Sequence, residues 1–195
     1  MLNVPITTKA RFIEPMLLLR TEKLPEGHEW QTELKLDGYR ALAFKTGGKV
    51  QLRSRNDNDF NSRYPGLVKA LASMPDETVI DGEVVALDAD DRPSFNTLQN
   101  YGSGTVPLHF FMFDLLVLKG NDVTAEPLQR RRELMEKFVL PKLADPIRYS
   151  PVLDGSLKDL IHSVKAQGLE GLVAKRRDSK YEPGLRSGAW LSRAE

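Results

Sequence analysis

Apolar positions along this 195-residue chain predict strands over most of its first two thirds. Trp30 to Leu36 and Tyr39 to Phe44 flank Asp37-Gly38, a dipeptide that favours a hairpin turn, so the pattern pairs these two stretches. A Gly47-Gly48 turn leads into a strand from Val50 to Arg53. Longer strands are predicted over Thr78 to Leu87 and Leu108 to Leu118, the second closed by a Lys119-Gly120-Asn121-Asp122 turn. Helical spacing falls between and after these stretches. Pro65 suits a first helical turn, with Leu67 and Leu71 as the apolar face. Leu128, Met135 and Phe138 mark a longer helix around residues 127–139. Ser156 is an N-cap for a helix through Gln167 that carries Leu157, Leu160, Ile161 and Val164 on one side, and Gly168 falls at its C-terminal cap. Gly171 to Lys175 then reads as a strand. Mixed strands and helices without a β-α-β rhythm predict an α+β domain with largely antiparallel sheets.

Composition narrows the class. Hydrophobic residues at 41% and charged residues at 28% are those of a folded chain, and no Gly/Ser/Pro linker divides it, so one domain over residues 1–195 is expected. The apolar run from Leu108 to Leu118 is interrupted by His109 and Asp114 and is too short for a bilayer, which needs about 20 apolar residues. No secretory signal opens the chain, and it has no cysteine, so a reducing cytoplasm and no membrane partner are expected. His28, His109 and His162 are scattered. The net charge of +1 conceals a segregation: residues 1–75 carry net +4, residues 76–126 net −8 and residues 127–195 net +5. That suits a protein handling metal and phosphate together, and it suits ordinary solvated faces equally well.

The most informative segment is Glu33-Leu34-Lys35-Leu36-Asp37-Gly38-Tyr39-Arg40. A hairpin with an exposed lysine would explain Asp-Gly alone. Lys, Asp, Gly and Arg together at this spacing match by chance in about one chain per thousand of this length. Five further segments follow: Ser54-Arg55-Asn56, Asp81-Gly82-Glu83, Phe110 to Asp114, Glu170 to Lys175, and Tyr181 to Leu191. Each alone has a bland reading. Asp81-Gly82-Glu83 can be a bulge, although acids inside an apolar frame cost free energy unless they are satisfied. In this order, the six resemble the signatures of the covalent nucleotidyltransferases, a superfamily of DNA ligases, RNA ligases and mRNA capping enzymes. The combination is most similar to ATP-dependent DNA ligases, in particular the ligase domains of bacterial non-homologous end-joining enzymes.

The resemblance implies an ATP-grasp-like nucleotidyltransferase core, two packed largely antiparallel sheets flanked by helices. It makes Lys35 the nucleophile that takes AMP from ATP as a phosphoramidate, which requires a neutral amine and hence a lowered pKa. It gives Glu33 the adenine amino group, which a carboxylate accepts while repelling guanine's oxygen. It assigns Arg40 and Arg55 to ribose or phosphate, and Glu83 to the ribose hydroxyl and to metal through water. Phe113 would stack on the purine, with Phe111 in reserve. Glu170 would face Mg2+, Lys175 would contact phosphate, and Arg186 would contact the nucleotide. ATP is favoured over NAD, because no room exists for a nicotinamide-binding N-terminal domain. The implied partners are nicked or broken double-stranded DNA and other end-joining repair proteins, for a monomer in the bacterial cytoplasm near the nucleoid.

The chain also departs from the pattern. The family follows Trp-Leu with a lysine, one residue and a second basic residue, whereas this chain has Ser192 and Ala194 there, with Arg193 as a partial substitute. The OB-fold domain of about 100 residues that normally follows is absent from the sequence, so weak self-adenylation and poor sealing are expected. An RNA ligase-type enzyme and a non-catalytic module that binds nucleotides or DNA ends are the alternatives.

Overall fold

The computed structural model describes residues 7–102 and 106–194. Among these residues lie ten strands and four α-helices. The first five strands are β1 (Leu19–Arg20), β2 (Trp30–Leu34), β3 (Tyr39–Thr46), β4 (Lys49–Ser54) and β5 (Thr78–Ala86). The rest are β6 (Leu108–Leu118), β7 (Asn121–Asp122), β8 (Ile147–Tyr149), β9 (Gly171–Arg176) and β10 (Trp190–Ala194). The helices are α1 (Pro65–Ala70), α2 (Phe95–Gln99), α3 (Leu128–Phe138) and α4 (Leu157–Ala166). The large sheet runs β4-β3-β5-β6-β7, with β8 parallel to β6, and the small sheet runs β1-β10-β9-β2. The remaining pairings are antiparallel except that of β1 with β10, so the α+β architecture with two sheets is as predicted.

Burial explains the sequence pattern. β5 and β6 read as nearly continuous apolar runs because both faces of the large sheet are covered. On the inner face Leu42, Phe44, Val79 and Leu116 pack with Met16, Tyr181 and Trp190. On the outer face Ala41, Leu52 and Ile80 pack with Leu67 and Leu71 around α1. Helix α4 covers the small sheet through Val164 against Leu172 and Ala174. Ser156 caps α4 by accepting the Asp159 N–H at 3.1 Å, as predicted.

The predicted hairpin at Asp37-Gly38 is not formed. β2 pairs with β9, while β3 pairs with β4 and β5, so the lysine segment crosses from one sheet to the other. Gly38 serves close approach: a Cβ there would lie 2.1 Å from the Val84 carbonyl oxygen on β5. The local turn preference of Asp-Gly yields to the sheet partners on either side. Helix α2, capped by Ser94, and strand β10 are elements that the apolar pattern did not predict.

Candidate active site

Lys35 stands at the crossover between the sheets. Its N–H donates to the Gly171 carbonyl at 2.9 Å, at the start of β9, and its ammonium forms an ion pair with Glu170 just before that strand. Gly171 permits the junction, since a Cβ there would sit 2.1 Å from the Arg193 carbonyl oxygen of β10. Burial lowers the Lys35 pKa below its ordinary 10.5, outweighing the fields of Glu83 and Asp37, and Arg20 adds to the lowering. A larger fraction of neutral amine follows, as a nitrogen nucleophile requires. Asp37 accepts the Phe95 N–H at 2.9 Å, which ties the lysine segment to the first turn of α2.

The large sheet contributes one wall. Arg40 on β3 grips the fully buried Asp81 of β5 through two hydrogen bonds of 2.6 Å and donates to the Met16 carbonyl at 3.0 Å. Tyr181 donates its hydroxyl to the same aspartate at 2.6 Å. Arg40 is therefore held as a fixed cation over the Phe113 ring, 4.9 Å from its centre. Glu83 is the strand partner of Arg40, and burial pushes its pKa up to about 8 against the pull of Arg40, with Asp81 adding to the rise. The register of β5 against β6 shifts between Asp81 and Gly82, so the bulge and a functional carboxylate coexist.

The opposite end of the cavity is built around Glu33, which is 2% exposed. One of its oxygens accepts from Lys175 at 3.0 Å and lies 3.3 Å from Arg132, while the other accepts from Gln31 at 2.9 Å. Burial alone would raise the Glu33 pKa, but Lys175 and Arg132 outweigh it and hold the carboxylate ionised. The Lys175 ammonium also sits 4.2 Å from the Phe113 ring centre and 4.3 Å from that of Trp190. Glu33 and Lys175 are thus paired with each other across β2 and β9. Strand alternation separates the two ends of this segment: Glu170 precedes β9 and meets Lys35, whereas Lys175 projects into the space between the sheets.

Arg132 was not singled out in the sequence. From α3 it donates to the carbonyls of Phe113 at 2.9 Å and Ser150 at 2.6 Å, and to the Tyr149 hydroxyl at 3.0 Å. Its signal was nevertheless present, because Arg131 and Arg132 fall on the buried stripe between Leu128 and Met135. Buried arginines need acidic partners. For Arg131 the partner is Asp114, in a paired contact of 2.8 Å on each oxygen.

These walls enclose a cavity of about 300 Å³ lined by Glu33, Lys35, Arg40, Arg55, Glu83, Phe113, Lys175 and Arg186, all expected nucleotide residues. That size is at the lower end for ligand cavities. Arg55 and Arg186 are exposed, and Arg186 donates to the Leu18 carbonyl. Phe111 lies beside His109, away from the cavity lining. Arg193 cannot replace a cation at position 192, because it neighbours Ser192 in β10 and projects to the other face. Among the described residues no three His, Cys, Asp or Glu side chains form a metal nest. Glu170 and Glu83 carry hard oxygen donors of the kind a divalent cation takes.

Residues 15–192 match the family model of the ATP dependent DNA ligase domain. The chain is 39% identical over 189 residues to the multifunctional non-homologous end joining protein LigD of Pseudomonas aeruginosa, covering 95% of this chain and 22% of that protein. DNA ligase C2 of Mycolicibacterium smegmatis is 33% identical over 187 residues, 89% of this chain and 52% of that one. Among solved structures, a mycobacterial DNA ligase D complexed with ATP and MES superposes with a TM-score of 0.82 at 34% identity, covering 94% of this chain and 60% of that one. The ligase domain of Mycobacterium tuberculosis LigD gives a TM-score of 0.79 at 34% identity, over 93% of this chain and 59% of that one.

Proposed function

Because the chain belongs to the ATP-dependent DNA ligase domain family, we propose that it takes AMP from ATP onto Lys35 and passes it to the 5′-phosphate of a DNA break. The observation that carries this reading is the position of Lys35. Its amine, pressed on Glu170 and lowered in pKa, opens onto a cavity where the other nucleotide residues converge.

The Lys35 nitrogen forms a bond to the α-phosphorus as the bond from that phosphorus to its bridging oxygen breaks. Pyrophosphate leaves with the electron pair, and the proton shed by nitrogen passes to Glu170. Lys175 and Arg132 hold Glu33 ionised as the acceptor for adenine's amino group, beside Phe113 as the apolar platform. Arg40, fixed by Asp81, places a cation between the ring and Glu83, which faces the ribose. Glu170 and Glu83 would hold Mg2+, which neutralises charge developing on the phosphates when bound. In the second step a 5′-phosphate oxygen attacks the lysine-bound phosphorus, and the protonated Lys35 nitrogen departs. The 3′-hydroxyl of the break then attacks the activated phosphate and releases AMP.

The DNA partner is a nicked or broken duplex, gripped mainly through its phosphates, so affinity falls steeply with salt. The setting that fits is a bacterial cytoplasm near the nucleoid, with the chain as a monomer beside other end-joining repair proteins. The test is intact mass after incubation with ATP and Mg2+, next to Lys35→Ala, followed by a chase with nicked duplexes bearing DNA or RNA on the 3′ side. An AMP-sized increase confined to the parent and discharged by nicked DNA supports the reading. No AMP-sized increase in the parent, or the same increase in Lys35→Ala, would refute it.

A further inference from the structure

Ser192 lines the cavity from β10, at the position where the ligase pattern carries a lysine. The neighbouring strand supplies a different cation there. β1 runs parallel to β10 with Arg20 as the register partner of Ser192, and the Thr21 N–H donates to the Ser192 carbonyl at 2.9 Å. Register partners on adjacent strands project to the same face of a sheet. Leu17 and Leu18, just before β1, both line the cavity, so β1 begins at its wall. The positive charge of Arg20 is felt at the Lys35 ammonium. Among the described residues no side chain forms an ion pair or hydrogen bond with Arg20. An exposed arginine with no counter-ion, next to the cavity wall and within the field of another cation, is placed to receive an anion.

We propose that Arg20 is a catalytic residue of lysine adenylation that grips the β- and γ-phosphate oxygens of ATP, supplying from β1 the cation that β10 lacks at Ser192. This rests on the proposed function. As the nitrogen–phosphorus bond forms and the bond to the bridging oxygen breaks, the electron pair moves onto pyrophosphate. Arg20 donates hydrogen bonds to that growing charge and keeps its own proton throughout. The guanidinium therefore assists departure of pyrophosphate and makes no contact specific to AMP.

The test compares ATP with AMP. Binding of each is measured in Mg2+-free buffer, and single-turnover formation of the Lys35 adduct is measured with ATP and Mg2+. For Arg20→Ala, the expected result is ATP binding weakened about tenfold with AMP binding unchanged, and adduct formation slowed about a hundredfold. Arg20→Lys should fall between the parent and Arg20→Ala. Adding Ser192→Lys to Arg20→Ala should restore most of the lost ATP binding. ATP binding equal to the parent in Arg20→Ala would overturn the proposal. So would equal weakening of ATP and AMP, the mark of a structural role. A double variant that binds AMP normally but recovers no ATP binding also counts against it. Failure of the parent to form an adduct would remove the proposed function, and the ATP-against-AMP comparison would still decide whether Arg20 grips phosphate.

Discussion

The Arg132 guanidinium on α3 lies 3.3 Å from the Glu33 carboxylate on β2, on the oxygen that also accepts from Lys175 at 3.0 Å. The contact joins the helix layer to the small sheet, and Arg132 simultaneously holds the Phe113 carbonyl of the large sheet. Arg132→Met should lower unfolding free energy by about 1–3 kcal/mol, the cost of leaving the carbonyls it holds unpaired while Lys175 still compensates Glu33. Urea denaturation checks this. In the Arg132→Met/Glu33→Gln double variant the loss should be smaller than the sum of the two single losses. Strict additivity would show that the two groups are not coupled.

Acid sensitivity follows from the same carboxylate. The folded pKa of Glu33 lies below its ordinary 4.5 because Lys175 and Arg132 overcome burial, which alone would raise it. Its ionisation therefore stabilises the fold fully above about pH 4.5, and the contribution disappears as pH falls through the lower folded value. Stability measured from pH 7 down to pH 3 should decline below that point in the parent. The decline should be shallower in Glu33→Gln.

Lys35 titrates in the other sense for chemistry. Burial lowers its pKa below 10.5, so the rate of adduct formation should rise with pH and level off before pH 10.5. A rate that reaches only half its maximum at pH 10.5 would mean that the amine is as basic as a free lysine.

Gly38 and Gly66 make a controlled pair. A Cβ at Gly38 would meet the Val84 carbonyl oxygen at 2.1 Å and the Glu83 Cγ at 3.2 Å, whereas Gly66 in α1 faces open space. Gly38→Ala should cost about 1–3 kcal/mol and, by moving the lysine segment, slow adduct formation by at least about tenfold. Gly66→Ala should be neutral or stabilise by up to about 1 kcal/mol with an unchanged rate. Thermal unfolding and single-turnover kinetics on both variants separate the two outcomes.

Much of the site could be read from the sequence because its residues lie in short segments with fixed internal spacing. The eight residues expected at the nucleotide surround one cavity, and Glu170 meets Lys35. What could not be read was partnership across the chain. Asp37-Gly38 looked like a hairpin because its turn preference is local, while the strands on either side find partners far away in β9 and β5. The pairing of Lys175 with Glu33 was equally hidden, because Glu33 lies on another strand of the same sheet. Asp81 as the anchor of Arg40, and Arg20 beside Ser192, likewise depend on strand pairing, which no local period encodes.

The most direct test is to locate the AMP. After reaction with ATP and Mg2+, the protein is digested in mild base and the modified peptide is sequenced by tandem mass spectrometry. The expected result is AMP on Lys35, lost on brief acid treatment because protonation makes the phosphoramidate nitrogen a good leaving group. AMP on another side chain, an acid-stable adduct, or no adduct would contradict the assignment of Lys35.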